Sequence, residues 1–420
     1  MKRNWVVAAL LLLIALGGAL ATGRRLFFNL TYLLGAVIVV SYLWSRSNVS
    51  HLQIVRQTPS HRSQVSQVAE ERFLVCNTGF LPKLWVEVRD DSELPGHHAS
   101  WVVNALAGHR TRGWAVRTMC RQRGRFRLGP ITLISSDPFG LFEHRRRLPA
   151  TSSIVVYPLT VDLPHFYLPS GELPGGGAMR RRTHYVTTNV SGVREYFPGD
   201  SFNRIHWPST ARHDRLIVKE FELDPTADVW LFLDMQSGVQ ADQLWEEQQV
   251  GLPPLLPTRP TLAPSTEEYI VTIGASLAKH FLARNRAVGV VAYSQRREVL
   301  APDRGERQLT KVMEMLAVIR AMGSMPIAQI ISAEGKALGR NTSVVVVTPS
   351  DDTRWVDSLR DLRRRGIRGI GVLTDAKSFG GKANTEATIA ALHHNGIQAY
   401  RIREGDDLSA ALTEGSLSLW

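Results

Sequence analysis

The chain has 420 residues, enough for two or three domains with a core in each. An apolar share of 44% excludes wholesale disorder, and two cysteines, Cys76 and Cys120, exclude a disulfide-dense scaffold and fit a reducing compartment. The formal charge of +12 is lopsided, with 23 Lys and Arg against 10 Asp and Glu in residues 1–182 and 27 against 28 in the rest. Such a basic half suits nucleic acid or anionic lipid head groups.

The first elements favour lipid. WVVAALLLLIALGGALAT (5–22) and LFFNLTYLLGAVIVVSYLW (26–44) carry no charge. At about 1.5 Å rise per residue each nearly matches a bilayer core of roughly 30 Å. Gly23, Arg24 and Arg25 alone separate them, so residues 1–46 read as a transmembrane hairpin, with Trp5, Tyr42 and Trp44 near its ends where aromatic belts form. The rival is a secretory signal, with Lys2 and Arg3 as its basic start and Ala19-Leu20-Ala21 as a cleavage site. The length of the first run and the immediate second run favour the hairpin. Lys2 and Arg3 before it and Arg46, Arg56 and Arg62 after it place the remaining chain in the cytoplasm of a bacterial inner membrane, although Arg24 and Arg25 argue the other way.

Residues 50–165 read as an all-β, immunoglobulin-like sandwich. ERFLVCN, KLWVEVRD, SWVVNAL, GWAVRTMC, GRFRLGPITLIS and SSIVVYP are short runs rich in Val, Trp, Phe and Ile, separated by turn formers. Arg121, Arg123, Arg125 and Arg127 have period two and are expected on one solvated or membrane-facing strand face. Residues 166–190, with GELPGGGAMRRR, form a linker.

From 225 to 420 buried apolar strands alternate with helices: DVWLFLD, EEYIVTIGASLAKHFLARNR from Ser265 or Thr266, AVGVVAYS, RQLTKVMEMLAVIRAM, a short helix, SVVVVTPS, TRWVDSLRDLRRRG ended by Gly366, IRGIGVLT and GIQAYRI. This is the pattern of a doubly wound α/β sheet. Its strand ends offer Asp234, Ser294, Thr348 and Asp375. Asp234 is the candidate cation ligand, with Ser237 nearby; its other role is to cap the strand–loop turn. The segment 248–264, with five prolines and PxxP spacings over Pro254, Pro257 and Pro260, reads as a polyproline lid or partner loop over those ends. Ser276 and Lys279 have the SxxK spacing of penicillin-recognising enzymes, without the companion motifs. His97-His98 and His393-His394 read as surface pairs. No Walker loop, GxSxG, HExxH, GxGxxG or Cys/His metal spacing is present.

Residues 191–224 contain the most distinctive stretch, GVREYFPGDSFNRIHWPSTARHDRLIVKEFE. Pro198 and Gly199 suit a turn, Asp200 or Ser201 suits the cap of a short helix through FNRIHW that Pro208 ends, and LIVKEFE suits a strand. Arg194, Glu195, Asp200, Arg204, Arg212, Asp214, Arg215, Lys219 and Glu220 mix both signs. That argues for charge-assisted pairs pinning a joint to the α/β domain and against a phosphate site.

This stretch resembles the signature of the domain of unknown function 58 family, and RGRFRLGPITLISSDPFGLF (123–142) and the apolar hairpin match it as well. The resemblance marks Arg194, Glu195, Tyr196, Pro198, Gly199, Asp200, Arg204, Trp207, Arg212, Lys219 and Glu220 as binding or structural signature residues. It implies a von Willebrand factor A-like C-terminal domain, a MoxR-type AAA+ ATPase partner and no assigned enzymatic activity. In the metal-ion-dependent adhesion motif of von Willebrand A domains, Asp234, Gln236 and Gly238 take the places of Asp, Ser and Ser. Only the Asp matches, which argues against magnesium. The expectation is therefore a membrane-anchored, non-enzymatic adaptor or scaffold contacting membrane lipids and the ATPase, with no cofactor, in assembling or maturing envelope proteins. A metal-assisted hydrolase using Asp234 and Asp351 is the second reading, and a nucleic-acid binder through the basic β domain ranks last.

Overall fold

The computed structural model describes residues 4–149, 151–166, 190–197, 205–221, 228–243, 262–339 and 342–414. They form two compact units, one built mainly on Met1–Thr160 and the other on Val161–Trp245, Ala263–Leu309 and Arg320–Trp420. The linker expected at 166–190 and the Pro-rich segment with Pro254, Pro257 and Pro260 lie almost wholly outside the described residues.

The first unit opens with helices α1 (Asn4–Thr22) and α2 (Arg25–Val49), both long and apolar enough to cross a membrane. Gly23, at φ +63, makes the turn between them, and Gly18 lets Phe27 approach so closely that a Cβ would sit 3.0 Å from its ring. α1 is about 28 Å long and α2 about 37 Å, so α2 overshoots its partner by some two turns. That overshoot is buried at Ser45, Asn48 and Val49.

Strands follow in chain order: β1 (Leu52–Gln57), β2 (Arg62–Gln64), β3 (Val68–Asn77), β4 (Lys83–Asp90), β5 (Trp101–Leu106), β6 (Thr111–Met119), β7 (Gly124–Leu128), β8 (Ile131–Ser136), β9 (Glu143–Leu148) and β10 (Ser152–Tyr157). They form sheets of order β1-β3-β6, β5-β4-β8-β9 and β2-β10-β7. Phe73 and Val75 from the first and Val86, Val88, Val103, Ile131 and Leu133 from the second share one core with Val49 of α2. The apolar helix α2 and the β core are thus one packed body. Lys83, buried, donates from its ammonium to the Ser47 carbonyl, a cation against the carbonyl-rich end of α2.

Two expectations change here. GRFRLGPITLIS is two strands, β7 and β8, broken at the cis Gly129–Pro130 bond. The arginine ladder is not one solvated face: Arg121 and Arg123 precede β7, Arg123 is buried, and Arg125 and Arg127 alone are exposed, Arg127 paired with Glu93. Cys76 and Cys120 are free thiols.

The second unit contains β11 (Val190–Glu195), α3 (Trp207–His213), β12 (Ile217–Phe221), β13 (Asp228–Leu233), α4 (Thr266–Ala283), β14 (Val288–Tyr293) and β15 (Arg297–Asp303). The chain continues through α5 (Gly305–Val318), α6 (Ile327–Glu334), β16 (Thr342–Thr348), α7 (Arg354–Arg364), β17 (Arg368–Thr374), α8 (Glu386–His394), β18 (Gln398–Ile402) and α9 (Leu408–Glu414). The six-stranded sheet runs β15-β14-β13-β16-β17-β18, parallel except for β15. Helices cover both faces. Phe232, Val344 and Val346 pack with α6, α7 and α8, while Leu233 stands against Gly274 of α4. α7 ends before Gly366, whose φ of +84 favours glycine. The helix expected over 307–322 stops at Val318.

Candidate functional site at the carboxyl edge of the sheet

β13 is flanked by β14 on one side and β16 on the other, so the chain order reverses across it, and the crevice beside its carboxyl end is the place where open α/β sheets take ligands. Asp234 follows β13 directly and is 0% exposed, as is Thr348 at the end of β16. The Thr348 hydroxyl donates to Asp234 Oδ2 at 2.6 Å and the Gln236 amide to Oδ1 at 3.0 Å. Thr348 Oγ1 in turn accepts from the Ser350 amide at 3.0 Å. Burial raises the Asp234 carboxyl to about 6, more than these two hydrogen bonds lower it.

The loop after Asp234 is knotted down around it. Gln240 Nε2 donates to the Asp234 carbonyl at 2.9 Å, and its Oε1 accepts from Thr266 Oγ1 at 2.7 Å. Gly323 donates to the Met235 carbonyl and accepts from the Ser237 amide, both at 2.8 Å. A Cβ at Gly323 would lie 2.2 Å from the Tyr293 carbonyl oxygen, so only glycine fits. Ser237 Oγ also donates to the Gly323 carbonyl. These residues do not fit a magnesium ion. Both Asp234 oxygens accept from the chain, Ser237 is engaged with Gly323, and Gln236 and Gly238 stand where the adhesion motif has hydroxyls. No group of three His, Cys, Asp or Glu placed to hold a metal exists among the described residues.

The other strand-end candidates are likewise engaged. Asp375, buried after β17, accepts from Arg401 at 2.5 and 3.0 Å. Asp351 accepts from the Asn384 amide at 3.2 Å, and Ser294 Oγ donates to the Arg320 carbonyl at 2.5 Å. Ser276 is buried, donates to the Thr272 carbonyl and accepts from the Val161 amide, while Lys279 pairs with Asp162; the SxxK spacing builds no nucleophile and base. His280, one residue on, is lowered to about 4 by burial and by Arg284.

The signature stretch forms a hairpin of β11 and β12, with Glu195 opposite Ile217 and Arg194 opposite Val218. Ile217 and Val218 are both buried, so this strand has no wet face at that point. α3 lies in the connection, tied by the His206 amide to the Ile217 carbonyl and by the Ile217 amide to Thr210 Oγ1. Pro208 does not end a helix through FNRIHW; it sits in the first turn of α3, where its missing N–H leaves no bond unmade. Asp214 follows α3 with φ 51. Glu195 and Arg215 pair with each other, closing the hairpin on itself. Arg212 is exposed, Tyr196 half-buried, and Phe197 and Trp207 are each 66% exposed. Lys219 and Glu220 lie on β12. Pro198, Gly199, Asp200 and Arg204 fall outside the described residues.

Residues 192–244, from this hairpin through Asp234, match the family model described as Protein of unknown function DUF58. That match covers the hairpin and the strand-end knot and no other part of the chain. The chain is 22% identical over 228 residues to the uncharacterized protein YeaD of Bacillus subtilis (strain 168), matching 54% of this chain and 50% of the relative, so it spans about half the length of that curated relative. Among solved structures, proximal thread matrix protein 1 from the mussel byssus is 12% identical, with a TM-score of 0.30 over 45% of this chain and 47% of its own. The CARDB domain of the PF1109 protein from Pyrococcus furiosus, solved in complex with di-metal ions, is 20% identical, with a TM-score of 0.20 over 25% of this chain and 86% of its own. Likenesses at those scores bear on neither fold nor function. In DUF58 terms, the matched segment delivers an exposed aromatic hairpin and a closed strand-end knot.

A third cluster, in the first unit, was not expected. Arg56 on β1 reaches Glu71 on β3 at 2.7 Å and Asp90 at the end of β4 at 3.0 Å; His97 contacts the same carboxylates at 3.1 and 3.2 Å. All four side chains are at most 3% exposed. Arg56 lies over the Phe73 ring at 5.0 Å. Burial alone would raise Glu71, but hydrogen bonds from His97 and Arg56 outweigh it and hold the carboxyl at about 2. Burial likewise opposes the charge on His97, yet Asp90 and Glu71 raise it. His97 is therefore a buried link in an ionic network and not a surface histidine, whereas His98, His393 and His394 are exposed. The only hint in the sequence was a lone arginine in an otherwise alternating apolar strand.

Proposed function

We propose that this protein is a membrane-anchored, non-enzymatic adaptor that presents its hairpin to an AAA+ ATPase of the MoxR type. The observation that carries the reading is the exposure of Phe197 and Trp207 on the family-defining segment, 66% each. Large aromatics on a fixed hairpin are what protein interfaces use as anchors. The strand-end carboxylates support the same reading, because Asp234 and Asp375 are consumed by internal hydrogen bonds and ion pairs. α1 and α2 supply the anchor, set in a bacterial inner membrane with both units on the cytoplasmic side. We take the sheets sharing the first unit's core as an immunoglobulin-like sandwich and the parallel sheet of the second as von Willebrand A-like, a frame that elsewhere carries binding functions.

The test is crosslinking in native membranes from a photoreactive residue at the neighbouring exposed position Arg212, with the captured protein identified. Capture of an AAA+ ATPase that Trp207→Ala abolishes, with the thermal transition unchanged, is the expected result. Capture of none, with or without ATP, overturns the adaptor reading.

A further inference from the structure

We infer that the loop Asp137–Phe142 is an interfacial membrane anchor, seating Phe139 at the boundary between lipid head groups and acyl chains. The inference rests on the membrane-spanning reading of α1 and α2. Because the two helices are antiparallel with only Gly23 and Arg24 between them, Asn4 and Trp5 at the start of α1 stand level with Tyr42 to Trp44 on α2. Aromatic side chains at that level mark the bilayer boundary.

The loop is fastened to this level from both helices. The Asn4 side chain donates to the Gly140 carbonyl at 3.3 Å. Tyr42 meets the Phe142 ring edge-on at 5.6 Å and the His144 ring at 5.4 Å, and Ser45 Oγ lies 2.9 Å from His144 Nδ1.

The loop is also built to hold its shape. Asp137, buried, accepts the Phe139 amide on Oδ2 at 3.0 Å and the Phe142 amide on Oδ1 at 2.6 Å. The Gly140 amide closes onto the Asp137 carbonyl at 3.0 Å, with Gly140 at φ +66. This self-capped turn faces Pro138 and Phe139 outward, with Phe139 64% exposed. A rigid turn that spends its polar groups internally and presents one phenyl ring beside the ends of two apolar helices is suited to the interface, where rings of this kind partition. Arg46 on α2, exposed, lies close in sequence to the contact residues and suits anionic head groups.

The experiment uses the full chain in vesicles of phosphatidylcholine and phosphatidylglycerol, with a nitroxide on Phe139→Cys, on Leu33→Cys in α2, and on His98→Cys in the loop after β4. Accessibility to oxygen, which partitions into lipid, is compared with that to a water-soluble nickel complex, after the thermal transition of each labelled protein is matched to the unlabelled one. Expected is an oxygen-to-nickel ratio at position 139 between those of 33 and 98, falling when Asn4→Ala removes the tether. A ratio at 139 equal to that at 98, with 33 lipid-exposed, overturns the anchor while leaving the spanning helices intact. A water-like ratio at 33 overturns both.

Discussion

Replacing Arg56 by methionine isolates the most consequential buried charge in the first unit. Arg56 is the cation shared by Glu71 and Asp90, with side chains 3%, 3% and 1% exposed. Methionine fills the aliphatic volume and keeps the contact with Phe73 but leaves two buried carboxylates with His97 as their remaining charged partner, beside the hydroxyls of Thr58 and Ser92. Breaking a buried ionic group by removing one partner costs about 3–5 kcal/mol. For a unit of this size, at about 2–4 °C per kcal/mol, the midpoint falls by roughly 6–20 °C. The assay is intrinsic fluorescence through a thermal ramp of the full chain in detergent, following the transition of the unit that holds the network. In the wild type, Glu71 is lowered to about 2, so its stabilisation is present above its ordinary pKa of 4.5 and is lost as pH falls from there toward 2. Without Arg56 the carboxyls rise instead, so the deficit of Arg56→Met shrinks as pH is lowered from 7 to 5. The triple variant Arg56→Met, Glu71→Gln, Asp90→Asn recovers most of the loss, since no uncompensated charge remains. A single-variant drop below about 2 °C, or a deficit that grows on acidification, refutes the reasoning.

At the strand-end knot, Asp234 is raised to about 6 from 3.8, so its contribution is full below 3.8 and is lost as pH rises through 6. Wild type should therefore lose stability relative to Asp234→Asn between pH 4 and 7, by up to about 3 kcal/mol, measured by denaturant melts across that range. Gly323→Ala drives a Cβ into the Tyr293 and Met235 carbonyls and should cost several degrees, whereas Gly339→Ala, with nothing within 4 Å, should be near neutral in the same melt. His280, lowered to about 4, has the opposite sign: its neutral form is buried, so stability falls as pH drops from 6.5 toward 4, and His280→Phe should flatten that slope in thermal scans.

Much of this architecture was legible because apolar patterning survives in sequence. The two uncharged runs, the continuous strands DVWLFLD and SVVVVTPS and the glycine after α7 each declared an element. What escaped was set by partners distant in the chain. β9, EHRRRL, carries three arginines and is not among the expected apolar runs, yet it is an edge strand, where one side needs no apolar neighbour. β15, REVLAPD, is the antiparallel edge of the other sheet and tolerates Pro302 for the same reason. Asp234 was found from its place after a buried strand, but Thr348, 114 positions on, decides what its carboxylate does. Arg56, Glu71, Asp90 and His97 look like ordinary surface charges one at a time; only the pairing of β1 with β3 and the packing over β4 bring them together.

The unbroken course of α2 from Arg25 to Val49, with Val49 in the β core, has a mechanical meaning. A helix that met the β unit through a flexible linker could tilt in the bilayer without disturbing what it carries. Here it is a stiff mast set into the deck. On the reading of α2 as a membrane span, a mismatch with bilayer thickness is met by tilt, and the shared core carries that tilt into the β unit as a change in attitude toward the membrane surface. On that same reading, bilayer thickness is converted into an angle.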